Sequence, residues 1–152
     1  MGEPTRNHLT VGAKLWDAFR TKDTPQGYSP SMTDNNHHHH DVLKDLNPQH
    51  RALRKMIPEV YGGFAELSKA ALRPGALDTK FKELMAMTIG VVHGCDGCIA
   101  SHAQGAARAG ATREEAAEAI GVSILMMGGP ATIYGARAYD AFCEFLDGGA
   151  TA

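Results

Sequence analysis

Residues 79–110 read TKFKELMAMTIGVVHGCDGCIASHAQGAARAG, and the way this stretch divides decides the fold. Asp78 stands before it as a helix-capping residue type, and the run that follows carries apolar residues on nearly every face. Gly94 closes that helix, and a second runs from about Cys95 to Ala109 until Gly110 stops it. Neither run alternates apolar and polar residues as a half-buried strand would. The stretch predicts two helices joined by a tight turn.

The same signals continue on both sides. Asn47-Pro48 predicts an N-cap followed by proline at the first helical position, where its missing N–H costs nothing. Pro58 restarts a helix through PEVYGGFAELSKAAL, which Pro74-Gly75 ends. Thr112 and Glu115 have the spacing of a capping box before AAEAIGVSILMM. Gly128-Gly129-Pro130 breaks the chain, and a last helix carries Tyr134, Ala138, Phe142 and Phe145 three and four residues apart. No credible strand is present, so the expected class is all-α, with about five to six helices.

A chain of 152 residues is long enough for one domain with a sizeable core. Its net charge of −2 gives no reason to expect nucleic acid or an anionic membrane as partner. No signal-peptide pattern and no run of ~20 apolar residues is present, and three cysteines are too few for a secreted disulfide framework. A cytoplasmic protein with reduced thiols is expected. Residues 21–46 are polar and broken by Pro25, Gly27 and Pro30, which predicts a disordered linker before a helical catalytic domain over 47–147 and a flexible tail at 148–152. The HHHH run at 37–40 falls in that linker and reads as a solvated tract with weak metal affinity. LMAMTIGVV and IGVSILMM lack a polar stripe, so their outer faces predict cover by a second subunit.

Cys95 and Cys98 sit three positions apart, and His102 follows four after Cys98. Such a pair has three readings: half of a zinc site, a redox dithiol, or two small residues in a core. Zinc needs four ligands, and the additions on offer are His93, His102 and Cys143, without a second C-x-x-C. The redox reading has a mechanism. A turn ending at Gly94 sets both sulfurs in the first turn of the next helix, where unpaired N–H groups favour thiolate. His102 shares a helical face with Cys98 and can take its proton. Cys143, between Phe142 and Phe145, reads as a buried structural residue.

Glu83 is the carboxylate inside the apolar helix, on the face of Met87 and Gly90. Lys80 and Lys82 make a solvated glutamate the plain reading; the functional one is a buried carboxylate that relays protons to the histidine. If the helices fold back antiparallel, Glu83 lies ~18 Å before the turn and His102 ~10 Å after it. Glu83 then reaches His102 more easily than Cys98, with a bridging water.

GALDTKFKELMAMTIGVVHGCDGCIASHAQGAARAGATREEAAEAI resembles the carboxymuconolactone decarboxylase superfamily, in particular its AhpD-like alkylhydroperoxidase branch, whose pattern is E-x₁₁-C-x-x-C-x₃-H. Glu83, Cys95, Cys98 and His102 match it position by position, and the likeness extends over residues 48–147, including MIPEVYGGF and GGPATIYGARA. The resemblance implies an all-helical fold in trimers or hexamers. It also implies thiol-based hydroperoxide reduction without a cofactor, with the oxidised pair recycled by a lipoyl-type or other dithiol. Members often carry a histidine within or beside the C-x-x-C; here Asp96 and Gly97 intervene and His93 precedes. The decarboxylase branch typically lacks the cysteine pair. On this reading Cys98 attacks the peroxide and Cys95 resolves, although in many C-x-x-C motifs the first cysteine is the more acidic. A general disulfide oxidoreductase for a protein partner and a zinc-stabilised binding module are the competing readings.

Residues 1–20 hold the one apolar patch of the N-terminal region, HLTVGAKLWDAF at 8–19. A short apolar peptide on a polar tether has the layout of a docking motif that orders on binding. LTVGAKL resembles the targeting peptides of encapsulin cargo, roughly L-T-V-G-S-L, with Ala13-Lys14 in place of a single small residue. Leu9, Thr10, Val11, Gly12 and Leu15 are the residues that this resemblance assigns to an encapsulin shell.

Overall fold

The computed structural model describes residues 39–148, and among them the chain is six helices with no strand. In order these are α1 (His39–Met56), α2 (Pro58–Leu72), α3 (Thr79–His93), α4 (Asp96–Arg108), α5 (Arg113–Met127) and α6 (Gly129–Gly148). The all-α expectation holds. The assigned targeting residues Leu9 to Leu15, the linker up to 38 and the tail from 149 lie outside the described residues.

Most helix boundaries are set by the residues that announced them. Asp78 caps α3, its Oδ1 accepting from the Phe81 N–H at 2.7 Å. Gly94 is left-handed at φ 62° and ψ 35°; its N–H reaches the Val91 carbonyl while the Cys95 N–H reaches the Gly90 carbonyl. That paired closure satisfies carbonyls that the helix end would leave bare, and a β-carbon would strain the left-handed turn. Thr112 and Glu115 form the expected capping box: Oγ1 accepts from the Glu115 N–H at 3.2 Å, and Glu115 Oε2 from the Thr112 N–H at 2.9 Å.

The start of α1 differs from the expectation. The Asn47-Pro48 signal predicts a helix beginning there, yet α1 begins at His39 and carries Pro48 in its interior. Interior proline removes a backbone hydrogen bond and crowds the preceding turn. Two interactions from α6 and the core offset this. The Glu144 carboxylate caps α1 by accepting from the His39 N–H at 2.8 Å and the His40 N–H at 3.3 Å. Val42 and Leu43 then pack, partly buried, against the core. The second half of the HHHH run is therefore folded: His39 is buried with Nε2 3.6 Å from Asp140, and the His40 ring lies 4.2 Å from that of Phe145.

The core lies where α3, α4, α5 and α6 meet, around Met87, Val91, Ile99 and Phe142, all fully buried. On α4 the inward positions are Ala100, Ala103 and Ala106, three residues apart and fully buried. Small side chains there let α3 and α6 approach α4 closely, which brings residues from three helices to the α3–α4 turn. Outside this core the helices are bare: α2 buries no residue, and Phe64, Leu125 and Met126 are largely exposed.

Candidate functional site

The two sulfurs meet at the turn between α3 and α4. Cys95 is the N-cap of α4 and Cys98 its third residue, and the two are joined as a disulfide with their Cα atoms 5.2 Å apart. One turn of helix brings its first and fourth residues to this separation without backbone movement. The Cys98 N–H points at the Cys95 sulfur at 3.2 Å, so an orphan donor of the helix start faces sulfur. In the reduced protein the same N–H and the positive end of the helix favour thiolate. Cys98 is exposed and Cys95 half-buried, so the pair is open to a reactant.

Behind the pair stands a carboxylate and an imidazole. Nδ1 of His102 donates to Oε2 of Glu83 at 2.7 Å. Glu83 is 8% exposed, which excludes the plain reading of a solvated glutamate. Its neighbouring lysines are engaged elsewhere: Lys80 with Glu115 at 2.6 Å, and Lys82 with the Ala71 and Arg73 carbonyls. A buried carboxylate needs a strong donor, and His102 is that donor. The contact fixes the ring orientation and leaves Nε2 outside it.

The bridging water that antiparallel spacing predicts between Glu83 and His102 is not needed. Glu83 and Gly105 each lie eleven residues from Gly94, so they are level across the hairpin. A β-carbon on Gly105 would fall 2.5 Å from the Glu83 carboxyl carbon. The carboxylate occupies the space that this side chain lacks, and from there it reaches one turn back along α4 to His102. Gly105 is thus part of the site and was missed in the sequence. Its signal was its position level with Glu83.

Three further residues frame the turn. The Tyr134 ring of α6 lies against Gly94, whose β-carbon would meet it at 3.0 Å. The Arg137 guanidinium, 5.1 Å from the Tyr134 ring centre, lies 3.4 and 3.5 Å from the two carboxylate oxygens of Asp96. From the other side Leu46 of α1 covers Gly97, the residue expected to keep the backbone approachable. His93 is exposed at the end of α3, and Cys143 is buried in α6 away from the pair. Among the described residues no three His, Cys, Asp or Glu side chains gather as a metal-binding set. The zinc reading would have to draw on a paired dithiol and a histidine already bound to Glu83.

A helical hairpin with a C-x-x-C pair at its turn and a carboxylate–imidazole pair behind it is the class of site that this fold defines. The chain belongs to the carboxymuconolactone decarboxylase family, whose sequence profile matches residues 58–141. It is similar to the solved apo form of a family member from Legionella pneumophila, with 44% identity and a TM-score of 0.69 over 71% of this chain and 96% of that one. A solved protein of Thermotoga maritima matches at 28% identity and a TM-score of 0.61, over 72% and 99% of the two chains. An uncharacterised protein of Cupriavidus necator is 38% identical over 96 residues, 63% of this chain and 85% of the relative.

Proposed function

We propose that this chain is a thiol-dependent hydroperoxide reductase of the AhpD-like kind. The observation that carries the reading is an accessible Cys95–Cys98 pair at a helix N-terminus, one turn from a histidine held by a buried glutamate. A structural dithiol would need neither the exposure nor the relay.

The cycle balances with groups already named. The Cys98 thiol passes its proton toward His102, and the thiolate attacks one oxygen of the O–O bond. That bond breaks, the second oxygen leaves as alcohol or water with a proton from the imidazole, and Cys98 becomes a sulfenic acid. The Cys95 thiol attacks the sulfenic sulfur, and loss of water forms the disulfide. An external dithiol of the lipoyl type returns two electrons and two protons by exchange through a mixed disulfide. Cys98 is assigned the attack because it is the more exposed and lies one turn from His102. With a dithiol donor, Cys98→Ser is expected to lose multiple turnover, and full turnover in that variant overturns the assignment.

The exposed disulfide also favours a second reading, a disulfide oxidoreductase for a protein partner. Relative rates with a hydroperoxide and with a small disulfide separate the two.

The bare apolar faces support assembly of this chain into a homo-oligomer, and the family resemblance implies a trimer or hexamer. The N-terminal segment carries a separate proposal: Leu9, Thr10, Val11, Gly12 and Leu15 address the enzyme to an encapsulin shell. Co-expression of the shell with full-length protein and with protein lacking residues 1–20 tests it. Capture of the full-length form alone is expected, and equal capture of both, or of neither, ends the proposal. Gly12→Val is expected to weaken docking, because a β-branched side chain removes backbone freedom there.

A further inference from the structure

The dithiol carries an opposed charge pair that the cycle above does not use. Asp96 lies between the cysteines as the first residue of α4, and its carboxylate is next in sequence to Cys95. A fixed negative charge at that point opposes the formation of thiolate on either sulfur. Arg137 of α6 answers it, 3.4 Å from one Asp96 oxygen and 3.5 Å from the other. Arg137 is not a loose surface charge. Tyr134, one turn earlier on α6, packs its ring on the Gly94 turn, and the guanidinium lies 5.1 Å from that ring centre. The aromatic face and the carboxylate together hold the cation beside the first turn of α4.

We infer that Arg137 is a positioning residue that sets the acidity of the Cys95–Cys98 dithiol by neutralising Asp96. The titratable and charged groups that bear on the pair are few. They are His102 with Glu83 from α4 and α3, His93 in the last turn of α3, Asp96 itself, and Tyr134 and Arg137 from α6; from α1 the apolar Leu46 lies over Gly97. Of these, Arg137 alone is cationic at every working pH. Asp96 and Arg137 therefore act on the sulfurs with opposite signs. Both side chains are about half exposed, so each acts through solvent and its effect is modest.

The inference rests on the dithiol reading but is tested without peroxide. The reduced protein is titrated by thiolate absorbance in the ultraviolet, and by the pH dependence of its alkylation with iodoacetamide. Arg137→Gln is expected to raise the lower thiol pKa by about half a pH unit, and Asp96→Asn to lower it by a similar amount. Asp96→Asn combined with Arg137→Gln is expected to return close to wild type, and Arg137→Lys, which keeps the charge, to stay near it. If the pair served only as a strut for the turn, removing either partner would shift the pKa in the same direction. That outcome, or no shift in either variant, overturns the inference. A protein whose thiols follow the predicted order yet reduce no hydroperoxide would overturn the proposed function and leave this inference standing.

Discussion

At the residue scale the Glu83–His102 contact depends on one missing methyl group. Gly105→Ala places a β-carbon where the Glu83 carboxylate sits, so that side chain must leave His102 or the helices must part. Overpacking of this kind costs about 1–3 kcal/mol, read as a lower denaturant midpoint. Activity is expected to fall further than stability explains, with the pH–rate profile losing its imidazole limb. Glu83→Gln keeps the volume and is expected to show the same loss in the profile at a smaller stability cost. A profile unchanged in both variants would remove the glutamate from the mechanism. Cys143 makes the complementary case. It is buried and distant from the pair, so Cys143→Ala is expected to cost about 1 kcal/mol of stability and leave peroxide turnover intact. At this scale the register of Cys98 with His102 was legible from helical spacing, while the set that adds Glu83 came from the family resemblance. Gly105 was readable only through its level with Glu83 across the hairpin, whereas Tyr134 and Arg137 were not legible: they depend on the docking of α6, which spacing does not encode.

At the element scale the helices are held by local chemistry that can be removed piece by piece. Thr112→Ala deletes one half of the α5 capping box and is expected to lower stability by about 1 kcal/mol, measured by urea unfolding. Glu115, the other half, also holds Lys80 of α3. The Lys80 ammonium, and after it the Thr112 backbone N–H, hold its carboxyl below the usual 4.5. A carboxyl whose folded value is lowered stabilises the fold fully above its unfolded value, and that contribution fades as pH falls through the lowered one. The stability difference between wild type and Glu115→Gln is therefore expected to shrink as pH drops below about 4.5. Capping residues at α3 and α5 and the glycine at the α3–α4 turn were readable because each acts on its own neighbours. The start of α1 was not, because its cap is Glu144, about a hundred residues away, which overrides the local signal of Asn47-Pro48.

At the scale of the whole molecule the unsatisfied feature is apolar surface. α3 turns Glu83 and Met87 inward while Phe81, Met85 and Ile89 stand exposed in a row on its other side. A groove of about 390 Å³ between α3 and α5 continues that face, lined by Phe81, Leu84, Met85 and Val122. α5 adds Leu125, 81% exposed, and Met126, 77% exposed. Isolated chains seldom leave so much contiguous apolar area in water. Sedimentation is expected to give a mass of several times 16.2 kDa, and Leu125→Glu to shift it toward the single chain. The continuous hydrophobicity of LMAMTIGVV and IGVSILMM made these faces legible in advance. Among the described residues no helix is long and apolar enough to cross a membrane.

The chemistry proposed for the Cys95–Cys98 pair is reduction of a hydroperoxide, and a stoichiometric reaction reads it without any recycling donor. Fully reduced protein, free of oxygen and of any other thiol, is mixed with one equivalent of an organic hydroperoxide per chain. Alcohol formed and thiols remaining are then counted, beside a parallel reaction with one equivalent of a small disulfide. One alcohol formed and two thiols lost per chain are expected, from Cys95 and Cys98 with Cys143 spared, at a rate above that with the disulfide. Rapid thiol loss to the disulfide with the hydroperoxide left unreacted would contradict this chemistry.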